Sequence, residues 1–142
     1  MAQSEISCEK IRAYLGTDYR VGHGTDAITL RINTRSESLL LLYASSSCHC
    51  GTFITACNPY GATLSAEINE AAHKRLGAEL SALACKVIEG AGVDPNGEWP
   101  EEQSYLGLGV DLVPAKELGK RYRQDAIVWM EADAVPKLIL LR

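Results

Sequence analysis

SAEINEAAHKRLGAELSAL, residues 65–83, is the stretch around which the rest of the chain is read. Ser65 suits an N-cap, because its hydroxyl can accept from a backbone N–H that the first turn of a helix leaves unpaired. Glu67 complements the positive end of the helix dipole, and Glu70 stands four residues before Lys74 for a surface pair. Ile68, Ala72, Leu76, Leu80 and Leu83 fall on one stripe at helical period, so the segment predicts a long amphipathic helix lying on a core. Asn69 falls inside that stripe, between Leu76 and Leu80 on a helical wheel. A buried amide has to be hydrogen-bonded, since an unpaired polar group costs about 1–3 kcal/mol. Two roles follow for Asn69: it ties down the loop at 58–63, or it faces a pocket.

Upstream, residues 51–57 read as a buried strand that stops at Asn58-Pro59, where proline removes a donor and restricts its predecessor. Residues 27–32 alternate, with Ile28, Leu30 and Ile32 on one side, and predict a half-buried strand. Residues 37–44 fit a short helix or a buried strand; Ser36 and the straight-chain leucines favour the helix. Residues 7–15 carry Ile11, Tyr14 and Leu15 at helical spacing, with Gly16 as a stop.

Downstream, residues 86–88 predict a strand leading into GAGVDPNG, residues 90–97, which reads as a surface loop. In 105–110 the bulky Leu106, Leu108 and Val110 alternate with Tyr105, Gly107 and Gly109, so something is expected to lie close over the bare face. Pro114 suits the first position of a second helix, with Ala115, Leu118 and Tyr122 at core spacing up to Arg123. Residues 126–130 and 137–141 predict a final hairpin around 133–136. The expected fold is one α+β domain over residues 1–142. It is a two-layer sandwich whose mixed, mostly antiparallel sheet of five to seven strands is covered by two main helices, 65–83 and 114–123.

The balance of 46% hydrophobic and 23% charged residues is that of a globular domain. A net charge of -4 with scattered Lys and Arg gives no basic footprint, so no nucleic-acid partner is expected. The longest apolar run, 39–44, is far short of the ~20 residues that span a bilayer. With no signal-peptide pattern at the start, the protein is expected to stay in the cytoplasm, with its five cysteines reduced.

The strings FITACNPYG (53–61), WPEEQSYLGLG (99–109) and LGKRYRQDAIVW (118–129), followed by PKLILLR, resemble the bacterial family catalogued as domain of unknown function 3293. The resemblance runs from about Ala27 onward and carries no established activity, substrate or cofactor. Similar sequences have Trp at the position of Cys57, and Asn followed by an apolar or small residue around Gln124-Asp125. The resemblance therefore supplies no thiol nucleophile at Cys57.

Asn58-Pro59-Tyr60-Gly61 and Trp99-Pro100-Glu101-Glu102 lie at the ends of expected strands and pair aromatic rings with polar groups, as ligand sites do. If these loops meet, Tyr60 and Trp99 offer flat surfaces, while Asn58, Asn69, Glu101, Glu102 and Ser104 supply donors and acceptors. The competing reading has Trp99 and Pro100 as a lid on the core. Glu101 and Glu102 are neighbours on an extended segment and point to opposite sides, which argues against a carboxylate pair.

Cys48-His49-Cys50 with Cys57 lacks the second ligand pair that zinc needs, so no metal is expected. Gly107-x-Gly109 lacks a third glycine and 90–97 lacks a phosphate-loop Lys, so no nucleotide cofactor is expected. His23, His49 and His73 carry no adjacent nucleophile signature. Lys116, Lys120, Arg121 and Arg123 form the one basic cluster, a solvated helix face on which an anion could dock.

The leading reading is a small-ligand-binding domain, with or without catalysis, whose site lies between the 58–61 and 99–104 loops. The alternative is a non-catalytic protein-interaction or accessory module. A concavity of at least ~300 Å³ lined by Tyr60, Asn69 and Trp99 would mark the first, and a filled core with a flat apolar patch the second.

Overall fold

The computed structural model describes residues 4–142. Helix α1 (Cys8–Leu15) leads into strands β1 (Asp18–Val21) and β2 (Ile28–Leu30), helix α2 (Glu37–Ser46) and strand β3 (Gly51–Ile54). Helix α3 (Ala66–Leu83), strands β4 (Lys86–Val93) and β5 (Glu102–Leu108), helix α4 (Leu112–Arg121) and strands β6 (Ala126–Met130) and β7 (Lys137–Leu140) complete the domain. The helices start where their caps predict: Ser7, Ser36 and Ser65 each accept from the backbone N–H three residues on. Residues 37–46 are thereby settled as helix. Helix α4 begins at Leu112, so Pro114 is its third residue and not its first; the missing N–H still falls in the turn that has no intrahelical partner for it.

The strands form one sheet in the order β2-β1-β4-β5-β3-β6-β7, and every neighbouring pair is antiparallel. The mixed sheet expected above is therefore corrected to an antiparallel one. The reason lies in the connections. Helix α3 joins β3 to β4 with β5 inserted between them, and α4 joins β5 to β6 with β3 inserted, so strands linked by helices run parallel but never touch.

Side chains alternate across a strand, and the two cores follow that alternation. Phe53, Leu106 and Val128 join one cluster, with Leu39 and Tyr43 of α2; their chain neighbours Ile54, Tyr105 and Ile127 join the other, with Leu76 and Leu80 of α3 and Leu118 of α4. The sheet is thus packed on both faces. The two-layer description covers only the half beneath α3 and α4. Along α3 the expected stripe is buried at Ala72, Leu76 and Leu80, whereas Ile68 and Leu83 are exposed. His73 takes a buried place instead, stacked on Tyr105 with ring centroids 4.1 Å apart.

Two glycine-rich stretches are strands. Strand β4 continues through Gly90-Ala91-Gly92 to Val93, correcting the loop expected from residue 90, because it is held by ladders to β1 on one side and β5 on the other. A Cβ at Gly90 would lie 2.3 Å from the Arg20 carbonyl oxygen, so glycine here admits the neighbouring backbone. On β5, Leu80 packs over Gly107, where a Cβ would come within 2.9 Å of it; this is the close neighbour that the bare face announced. Strand β1 was not foreseen, since only Tyr19 and Val21 alternate inward over its four residues.

Gly90→Ala is expected to lower the unfolding free energy by about 2 kcal/mol or more. Gly92→Ala, whose Cβ would meet only the Thr17 Cγ2 at 3.8 Å, is expected to be close to neutral. Urea denaturation of both variants measures the contrast.

Candidate functional site

The face of the sheet that carries α2 also holds a cavity of about 130 Å³. Helix α1 and the turn after it line it with Ala13, Tyr14 and Thr17, and the strands supply Tyr19, Phe53, Gly92, Val128 and Leu138. Tyr19 and Phe53 meet edge to face with centroids 5.2 Å apart. Register puts the polar wall in place: Glu102 lies across from Gly92 and Ser104 across from Gly90 in the β4–β5 ladder, and both line the cavity. Because β5 starts at residue 102, these two are strand residues and not loop residues.

Glu102 receives a hydrogen bond from Asn58 Nδ2 at 3.2 Å. Asn58 sits in the left-handed region, φ 47°, a conformation that asparagine tolerates better than most residues. Its Oδ1 accepts from the Leu64 N–H at 3.0 Å and from Asn69 Nδ2 at 2.8 Å, and its own N–H donates to Asn69 Oδ1 at 3.0 Å. A chain of amides thus runs from α3 through the 58–64 loop to the carboxylate in the cavity. Burial pushes the Glu102 carboxyl above its ordinary value, partly offset by the Asn58 bond.

The second carboxylate is Asp125, whose side chain is 1% exposed. Its Oδ2 accepts from Lys10 Nζ at 3.1 Å and from the Tyr14 hydroxyl at 3.0 Å, and Arg142 Nη1 lies 3.3 Å from Oδ1. Burial, then the bond to Asp125, pushes the Tyr14 hydroxyl well up, so it stays a proton donor. The Arg142 guanidinium stacks 4.1 Å over the Tyr60 ring, and Lys10 also donates to the Tyr60 carbonyl. These contacts pin α1 and the C-terminal residue across one end of the site.

Of the residues proposed from sequence, Asn58, Trp99, Glu102 and Ser104 line the cavity together. Tyr60, Asn69 and Glu101 do not. Tyr60 stands beneath Arg142, Asn69 takes the loop-tying role, and Glu101 points outward to Arg20 at 2.8 Å, opposite in direction to Glu102 as adjacent strand residues must be. Asn69 also borders a separate open groove with Arg75, Glu79 and Arg123. Cys57 is buried against the Gln103 carbonyl, and burial raises its thiol. Among the described residues, no three His, Cys, Asp or Glu side chains are grouped to hold a metal ion.

Tyr14, Tyr19, Phe53 and Asp125 also line the cavity and were not among the residues proposed from sequence. Tyr14 looked like an ordinary core position of a short helix, and Asp125 was marked only as a departure from the family pattern. No local signal joins residue 14 to residue 125.

The fold and cavity together define a small antiparallel α+β domain with a partly open pocket. The chain belongs to the family described as "Protein of unknown function (DUF3293)", which matches residues 54–127. The match includes Asn58, Asn69, Glu102 and Asp125, and leaves Tyr14, Tyr19 and Arg142 outside it. No curated protein and no solved structure matches the chain.

Asn69→Leu removes the partner of both the Asn58 N–H and its side chain. It is expected to lower stability by about 1–3 kcal/mol in chemical denaturation. Asn69→Asp keeps the acceptor for the N–H but sets an oxygen against Asn58 Oδ1 in place of the donor, so it is expected to lose stability as well.

Proposed function

We propose that this protein is a small-ligand-binding domain and that its site is the cavity under α1. The observation that supports this reading best is Glu102, a largely buried carboxylate with no cationic partner among the described residues, set in a wall of aromatic and apolar side chains. Keeping such a group ionised costs stability, and proteins carry that cost mainly where a site needs the charge.

The volume of about 130 Å³ falls short of the ~300 Å³ typical of pockets for drug-sized ligands. It is close to the ~150 Å³ apolar cavity known to hold benzene, so the ligand is compact. The interaction-module alternative has less behind it. The most exposed apolar residues, Leu41, Val113 and Ile68, stand on three different helices. No helix among the described residues is long and apolar enough to cross a membrane, and the five free cysteines suit a reducing cytoplasm.

Thermal-shift screening against compact metabolites is the direct test. A ligand that binds only the folded state adds about 2.7 kcal/mol of stability at a hundred times its Kd. Gly92 lines the cavity and a Cβ there would meet only the Thr17 Cγ2 at 3.8 Å, so Gly92→Leu is expected to fill the space and keep the fold while abolishing the response. A response that survives this plug would move the site elsewhere.

Glu102→Gln gives an independent check. A carboxyl whose pKa is raised by folding holds its proton more tightly in the native state, so stability falls as pH climbs from the unfolded value of 4.5 through the folded one. The glutamine variant is therefore expected to melt at higher temperature than the parent at neutral pH, with the difference closing below about pH 4.5.

A further inference from the structure

We propose that the ligand of this cavity is a small organic cation, an ammonium group on a compact apolar or aromatic body, seated with its charge against Glu102. The inference rests on the cavity being a binding site and adds the chemical class of what it binds. Two carboxylates line the space, and their surroundings differ. Asp125 is answered by Lys10, Arg142 and the Tyr14 hydroxyl. Glu102 has a neutral amide, and no ion pair among the described residues includes it.

No Lys or Arg side chain lines the cavity. An anion entering it would meet the Glu102 carboxylate, which no cation compensates, and that penalty is steep where water is sparse. A cation would meet the reverse. Its charge would pair with a carboxylate already desolvated and held by Asn58, so little of the usual desolvation cost remains to be met on binding. Tyr19 and Phe53 form the adjoining wall and Trp99 the half-exposed edge, which suits the apolar body and lets ring faces stabilise the ammonium. The size of the space limits that body to about that of one six-membered ring.

Benzylamine and cyclohexylamine, with benzyl alcohol and benzoate as neutral and anionic counterparts, test this on the full chain. Thermal shift and calorimetric titration would be run on the parent, on Glu102→Gln and on Gly92→Leu. The expected result is saturable binding of the amines to the parent, at least about tenfold weaker binding to Glu102→Gln, and none to Gly92→Leu. Benzyl alcohol or benzoate binding as tightly as the amines, or amine affinity unchanged in Glu102→Gln, would overturn the cation assignment while leaving the cavity a binding site. Absence of binding by all four probes at millimolar concentration would overturn the assignment too. A metabolite hit blocked by Gly92→Leu would then show that the cavity reading survives without it.

Discussion

The alternation of side chains along β5 is the constraint on which the rest of the molecule depends. Leu106 and Leu108 face the cluster under α2, with Glu102 and Ser104 continuing that face into the cavity, while Tyr105 and Gly107 face α3. The strand sits fourth of seven and is paired along its length with β4, and from Tyr105 to Leu108 with β3. A slip of one residue would drive Leu106 and Leu108 out of their core and turn Glu102 away from the cavity together. Packing and site are therefore set by one register.

The polar groups of the site are held from both faces of the sheet. Asn69 belongs to α3, on the side away from the cavity, yet its amide fixes Asn58, and Asn58 fixes the Glu102 carboxylate. Asp125 gathers α1 and the last residue of the chain at the other end. Helix α1 has no fully buried residue, and these polar contacts help to hold it over the cavity.

Most helices were legible because their signals are local. A serine cap, an apolar stripe and a stopping glycine act within a few residues, and α1, α2 and α3 begin where Ser7, Ser36 and Ser65 indicate. The strands at 126–130 and 137–140 were legible for the same reason. Glycine misled at 90–97, since a residue without a side chain signals a turn and a close strand contact equally well; only the Arg20 backbone lying against Gly90 decides between them. Four of the seven residues read from the sequence do share a cavity, Asn58 and Trp99 from loops at strand ends and Glu102 and Ser104 from one face of β5. Asn69 takes the loop-tying role that was one of the two read for it, while Tyr60 and Glu101 lie outside the cavity because Arg142 and Arg20 claim them, which the chemistry of a side chain does not reveal.

The sequence by itself determined the class of fold, the caps and cores of the main helices, the opposite directions of Glu101 and Glu102, and the likeness to a family. All of these follow from periodicity, capping chemistry or spaced motifs that lie within short stretches of chain. Tertiary structure alone decided the strand order, the second core beneath α2, and the meeting of Tyr14 with Asp125 and of Asn58 with Glu102. Contacts between residues far apart in sequence depend on how helical crossovers return the chain to the sheet, and no local pattern encodes that return.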